Sequence, residues 1–166
     1  MSKLKINNIT IKFILSPIDL RSFPRIHNFS GRMLKVGPCS LLLFNNGTCI
    51  ATGFLSVSEA EEFIKQKIPH ALIRKKKIVN ITGSSKIPFE ISYYAILKWH
   101  GDNLSTSPFA HESEIFPALY WRTPKGLVYF FRTGSAIVTG AKSISVLNRI
   151  YRDFLKFMRD IGAKKV

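Results

Sequence analysis

Residues 41–53, LLLFNNGTCIATG, and residues 128–140, VYFFRTGSAIVTG, are two copies of one pattern. Phe44 and Phe131, Gly47 and Gly134, Ile50 and Ile137, Thr52 and Thr139, and Gly53 and Gly140 match at a constant offset of 87. Ser56 and Ser58 carry the offset on to Ser143 and Ser145. A second match lies upstream: residues 5–10 read KINNIT and residues 77–82 read KIVNIT, five of six identical at an offset of 72. Two matches in the same order mark an internal duplication. The difference, 87 − 72, places about fifteen extra residues between the two motifs of the second copy. The copies are read as residues 1–74 and 75–166, one integrated domain.

Each copy repeats one plan. An opening strand (residues 6–14 and 78–84) alternates β-branched with polar residues. An irregular middle follows, then an apolar strand, a glycine turn, another strand and a helix. Asn45-Asn46-Gly47 and Arg132-Thr133-Gly134 have hairpin-turn chemistry. The first helix starts at Ser56, with Glu59 three residues on as a capping box, and stops near Pro69. The second runs from about Ser143, with Ile144, Leu147, Tyr151, Phe154, Met158 and Ile161 stepping by three and four. Its Arg149, Arg152, Lys156 and Arg159 fall off that stripe, as on a core-packing helix with a solvated face.

The net charge is +15 over 166 residues. Residues 1–74 carry ten Lys/Arg against four Asp/Glu, and residues 75–166 carry fifteen against six. Both copies are cationic, so the charge belongs to the fold and points to a polyanionic partner. Cys39 and Cys49 lack metal or redox spacing and read as reduced, structural thiols. His27, His70, His100 and His111 show no ligand spacing, and Asp19, Glu90, Asp102, Glu112 and Glu114 are scattered over different elements. No catalytic constellation, metal site or cofactor is expected. No apolar run reaches membrane-spanning length.

The apolar strands 41–44 and 127–131 are hydrophobic on both faces, whereas a hairpin strand ordinarily turns one face to water. Helices can cover only one side, so the other awaits a ligand or partner. Period two puts Asn8 and Thr10 opposite Ile9 and Ile11, and Asn80 and Thr82 opposite Ile81. It puts Ile50 and Thr52 opposite Cys49 and Ala51, and Ile137 and Thr139 opposite Ala136 and Val138. The face bearing Asn, Thr, Leu42, Tyr129 and the two isoleucines mixes apolar patches with paired hydrogen-bonding groups. That suits a minor-groove floor, where A·T edges offer acceptors only.

These motifs resemble the TATA-binding protein family. Residues 114–142, EIFPALYWRTPKGLVYFFRTGSAIVTGAK, carry the Phe-Pro, the Arg six residues later, the Phe-x-x-Gly turn and the closing Val-Thr-Gly-Ala-Lys in order. Asn8-Ile9 and Asn80-Ile81 repeat the family's opening Asn-Ile. The resemblance runs from Ile6 to about Phe157. It implies an α+β fold in which two pseudo-symmetric repeats form a curved, ten-stranded antiparallel β-sheet saddle with helices on the convex face. It further implies a monomer that binds double-stranded promoter DNA in the minor groove and bends it. Such a protein acts in the nucleus, or at the site of viral transcription if virus-encoded, as a general initiation factor alongside a TFIIB-like partner. The alternative is an interaction module of the same fold that binds other nucleic-acid shapes or only protein.

Transferred residue by residue, the resemblance makes Phe116 and Phe131 one pair of wedges and Phe44 a member of the other. Phe23, followed by Pro24, best fits the fourth, with Phe29 and Ile26 as rivals. Asn8, Asn80, Thr52 and Thr139 fit hydrogen-bonding groups, and Leu42, Tyr129, Ile50 and Ile137 fit apolar floor contacts. Arg122 fits a phosphate clamp with Arg32 as its counterpart, and Glu112 and Glu114 fit the contact with the TFIIB-like factor. Three departures stand out. The segment before Phe23 is short, so a helix around Asp19-Leu20-Arg21 is a turn at most. Thr48 and Ser135 replace the basic residue after each turn glycine. Thr10 and Thr82 replace a family valine, which implies tolerance of G·C pairs, because a hydroxyl accepts a hydrogen bond from the guanine amino group.

Overall fold

The computed structural model describes residues 3–162. Nine strands and three α-helices lie among them. In order they are β1 (Lys5–Leu15), β2 (Arg32–Val36), β3 (Cys39–Leu43), β4 (Thr48–Phe54), α1 (Val57–Lys67), β5 (Ile73–Lys86), α2 (Tyr93–Asp102), β6 (Phe109–His111), β7 (Ala118–Thr123), β8 (Gly126–Phe131), β9 (Ser135–Ala141) and α3 (Ile144–Asp160). Contacts divide the chain into two compact units: a first of residues 7–81, and a second that joins the residues up to Ile6 to those from Thr82 onward. The divisions therefore fall inside β1 and β5.

In the first unit the strands lie in the order β2-β3-β4-β1-β5, and in the second β5-β9-β8-β7-β6. The registers repeat. Leu42 pairs with Ile50 and Ser40 with Thr52 in the first unit, while Tyr129 pairs with Ile137 and Leu127 with Thr139 in the second. The fold is α+β with antiparallel pairing, as expected. No helix among the described residues is long and apolar enough to cross a membrane.

Alternation decides what is buried. In the first unit Ile9, Ile11, Phe13, Leu41, Leu43, Cys49 and Ala51 are at most 3% exposed, and in the second Val128, Phe130, Ala136 and Val138 are fully buried. Helices close over this side. Phe63 of α1 meets Phe54 at 5.4 Å, and Phe154 of α3 meets Trp121 and Phe130 at 5.6 and 6.1 Å. Burial pushes the Cys49 thiol up to about 12, which keeps it protonated and inert.

The helix ends follow the local chemistry. Ser56 Oγ accepts from the Glu59 N–H at 3.1 Å, and a Glu59 carboxylate oxygen accepts from the Leu55 N–H at 2.8 Å. Ser143 Oγ caps α3 through the Val146 N–H at 3.2 Å. The buried stripe of α3 is Leu147, Ile150, Tyr151, Phe154, Leu155 and Met158, wider than the periodicity suggested, whereas Ile144 is half exposed.

Two features of the irregular middles differ from the sequence reading. The extra residues of the second copy fold as α2, capped by Ser92, whose Oγ accepts from the Ala95 N–H at 3.2 Å. The ten strands implied by the resemblance are nine. The first-copy counterpart of β6 shrinks to a single bridge, Arg25 to Arg32. The reason lies in the segment before β2, which is short and holds Pro17 and Pro24, neither able to donate to a ladder. As anticipated, its helix is one turn, Leu20–Ser22, started by Asp19. The Arg21 guanidinium on that carboxylate lowers its pKa to about 2.

Candidate nucleic-acid interface

The uncovered face of the first unit is built by β1 to β4. Asn8, Thr10, Leu42, Phe44, Ile50 and Thr52 are all half exposed, each next in sequence to at least one buried residue on the covered side. An apolar patch therefore lies open on one side of an otherwise packed sheet. A β-bulge interrupts the pairing of β1 with β4, where Ile9 opposes Phe54 but Ile11 opposes Ala51. Gly53 supplies the extra residue, at φ +88°. Asn8 Oδ1 accepts the N–H freed at that bulge at 2.7 Å. The carbonyl end of the amide is thereby occupied, and Nδ2 is left to donate. It lies 3.5 Å from Thr10 Oγ1, a long contact that a stronger acceptor would replace.

The aromatic partner of Phe44 is Phe29, with centroids 5.6 Å apart in an edge geometry. Phe23 instead closes the turn at Leu20–Ser22, donating its N–H to the Leu20 carbonyl at 3.1 Å. Of the rivals for the fourth wedge, Phe29 thus has the geometry of the second copy, where Phe116 and Phe131 lie 5.9 Å apart. The signal was present in the sequence: Phe29 and Phe116 stand at the offset of 87 that governs the hairpin.

Register also corrects the pairing of Arg32 with Arg122. Arg32 opposes Leu43, the place that Leu119 holds opposite Phe130. Lys35 opposes Ser40, the place that Arg122 holds opposite Leu127. Lys35 and Arg122 are both exposed, whereas Arg32 is half buried with its Nε on the Leu20 carbonyl at 3.4 Å. The offset of 87 again separates Lys35 from Arg122, three residues beyond Arg32.

In the second unit Thr82, Tyr129, Phe131, Ile137 and Thr139 are half exposed on the uncovered face. Thr82 and Thr139 share a hydrogen bond between hydroxyls at 2.8 Å. Either hydroxyl can be the donor, so one proton lies between the two oxygens. The Phe116 ring packs on Tyr120, Tyr129 and Phe131 with centroids 5.8, 5.5 and 5.9 Å away. Tyr120, which the sequence reading passed over, completes this aromatic patch, 5.2 Å from Tyr129. Desolvation, with the Glu112 charge behind it, raises the Tyr120 pKa, so its hydroxyl keeps its proton at neutral pH.

Beside Phe131, Arg132 stacks over the Tyr94 ring at 5.0 Å and donates to the Tyr94 hydroxyl. Asn80 lies on β5 and is half exposed. Glu112 and Glu114 are exposed in the loop before Phe116, and the Glu112 carbonyl accepts from the N–H groups of Ile115 and Phe116, both at 2.9 Å.

The sequence profile of "Transcription factor TFIID (or TATA-binding protein, TBP)" matches residues 75–161, more than half of the chain. The chain belongs to the TATA-binding protein family. Its relatives span amoebae and archaea. TATA-box-binding protein 2 of Entamoeba histolytica is 29% identical over 140 residues, 75% of this chain and 62% of the relative. The TATA-box-binding protein of Archaeoglobus fulgidus is 26% identical over 181 residues, 96% of this chain and 97% of the relative. The chain thus spans about three-fifths of its amoebal relative and nearly all of its archaeal one. The solved structure of Methanococcus jannaschii TBP shares the fold, with a TM-score of 0.79 at 24% identity, covering 95% of this chain and 99% of that one.

Proposed function

We propose that this chain is a minor-groove DNA-binding and DNA-bending protein that acts as a TATA-binding-protein-like initiation factor, in the nucleus of a eukaryotic host. The observation that carries this reading is the open face present in each unit, where apolar residues and hydroxyls are bordered by a pair of phenylalanines, with the Asn8 amide of the first unit held as a donor. A helix or sheet partner would need a flank of complementary apolar side chains, and could do without donors aimed outward. The minor groove offers apolar sugar walls and a floor of acceptors, which this surface matches group for group. Phenylalanines at the border are placed to enter base steps, and the energy of unstacking is offset by the larger contact that a bent duplex makes. Lys35 and Arg122 are the matched cations for the phosphates alongside.

The test is competition. A minor-groove drug should displace the protein from short A·T-rich duplexes, and major-groove methylation should leave affinity unchanged. The opposite pattern would reject the reading. Affinity should also fall steeply with salt, with the logarithm of the binding constant linear in the logarithm of salt concentration, as phosphate counterions are released. The Lys35→Ala and Arg122→Ala variants should each flatten that slope by about one unit, whereas Arg32→Ala should leave it unchanged.

Glu112 and Glu114 support a contact with a TFIIB-like factor, because exposed carboxylates are repelled by a phosphate backbone. Reversing both charges should leave binary DNA affinity equal or slightly higher, and weaken ternary assembly about tenfold or more. Gel-shift titration with and without the partner measures both. Equal ternary assembly by variant and parent would remove this contact from the proposal.

A further inference from the structure

We infer that Tyr120 and Tyr129 set the direction in which this chain sits on an asymmetric duplex, an inference that rests on the minor-groove reading above. A duplicated surface with the same side chains in both copies would bind a duplex equally well either way round. Turning the DNA end for end merely exchanges the two half-sites. Any directional preference must come from positions where the copies differ.

Matched by register, the wedge phenylalanines, the floor isoleucines, and the threonines and asparagines are the same residue types in both copies. The centre of each hairpin is not. Met33 and Leu42 are cross-strand partners in the first copy, and their counterparts Tyr120 and Tyr129 are cross-strand partners in the second. All four side chains are half exposed on the uncovered face. The first copy therefore presents an aliphatic floor and the second an aromatic one that carries two hydroxyls.

The chemistry gives the preference a sign. A·T pairs show only acceptors in the minor groove, and G·C adds the guanine amino donor. Leu42 cannot accept that hydrogen bond and the Met33 thioether accepts it only weakly, so a G·C pair against them leaves a buried donor poorly satisfied. A protonated tyrosine hydroxyl both donates and accepts, and can satisfy either pair. Thr10 and Thr82 are the same residue type in both copies but are bonded differently, Thr82 to Thr139 and Thr10 to Asn8, and the tyrosine exchange leaves both in place, so a bias that they produce would survive it. A half-site that contains G·C should therefore lie under the second copy, and the pure A·T half under the first. Lys12 against Ser84 and Ser40 against Leu127 also differ at the margins of the face, and they are the competing source of any bias.

The experiment uses the whole chain with a photocrosslinking residue in place of Ile115, which is 78% exposed and adjoins Phe116. The probe is a duplex with one half-site of A·T pairs only and a single G·C pair in the other, each end labelled differently. The G·C end should crosslink in roughly fivefold excess, the yield of one net hydrogen bond. The Tyr120→Met, Tyr129→Leu double variant should fall to parity. So should the reciprocal Met33→Tyr, Leu42→Tyr variant, because both copies then carry tyrosines; if one variant melts early, the other decides. Parity in the parent on a duplex it binds, or a bias that survives the tyrosine exchange and vanishes on exchanging Ser40 with Leu127, would overturn the inference. Failure to bind any duplex in the minor groove would instead reject the proposed function beneath it.

Discussion

Replacing Phe131 with alanine should cut the DNA bend by roughly half while leaving the thermal melt within a few degrees of the parent, because one of two kinks is lost. Replacing its neighbour Phe130 should do the reverse. The two phenylalanines are adjacent in β8 and identical in chemistry, and differ only in the face to which they point. Phe130 is fully buried between Tyr93 of α2 and Phe154 of α3. Truncating it empties a cavity of ring size and should cost about 3–5 kcal/mol, a drop of roughly 10 °C or more in a domain of this length. Phe131 is half exposed and packs on Phe116, so its truncation removes one edge contact from the free protein. Melting curves beside bend angles from fluorescence transfer separate the roles. A collapsed melt for Phe131→Ala would make it a core residue and remove it from the interface.

The second large effect is expected at a glycine. Gly53 sits at φ +88°, and a Cβ there would lie 1.9 Å from the Pro38 carbonyl oxygen and 2.7 Å from its carbonyl carbon. Gly53→Ala therefore combines a disfavoured backbone with a clash against backbone that cannot swing aside. The expected loss is about 3 kcal/mol or more in urea unfolding. Gly37 is the control: it too has positive φ, at +59°, but nothing lies within 4 Å of an added Cβ, and alanine there should cost about 1 kcal/mol. The Gly53 variant should also lose DNA affinity beyond its stability loss, since the N–H of Gly53 holds Asn8 in its donating orientation. Equal stability of the two alanine variants would mean that the bulge relaxes at little cost.

How far such a site can be read from a sequence depends on which physical rule places each residue. Faces obey period two, so the buried and open sides of β1, β3, β4, β8 and β9 followed from the hairpin motifs alone. The helix starts followed from Ser56 and Ser143, because a serine hydroxyl accepting from the third residue on is a local arrangement. Register between strands is not local. Phe29, Lys35 and Tyr120 lie in segments that were read as irregular, and their faces emerge only when β2 and β7 are paired with β3 and β8. The constant offset of 87 carried the same information back to Phe29 and Lys35. The Phe-Pro at Phe23 and the basic Arg32 mimic the motifs of the second copy without standing at that offset. Helix α2 was missed for another reason. Its run YYAILKWHGD opens on two aromatics and closes on Gly101-Asp102, two weak helix formers, and burial against β8 stabilises it more than local preference does.

The reduced edge of the first unit has a practical corollary. Between β1 and β2 the chain has one three-residue turn with Leu20 buried, the bridge from Arg25 to Arg32, and the packing of Phe29 on Phe44. Most of its side chains from Pro17 to Ser30 are exposed or half exposed. Backbone that few ladders depend on accepts added length at low entropic cost, since closing a longer loop grows only with the logarithm of its size. A peptide tag or a small reporter domain spliced in near Arg21 and Ser22 would leave the hairpin of β3 and β4 intact. This stretch is the chain's natural port for engineering.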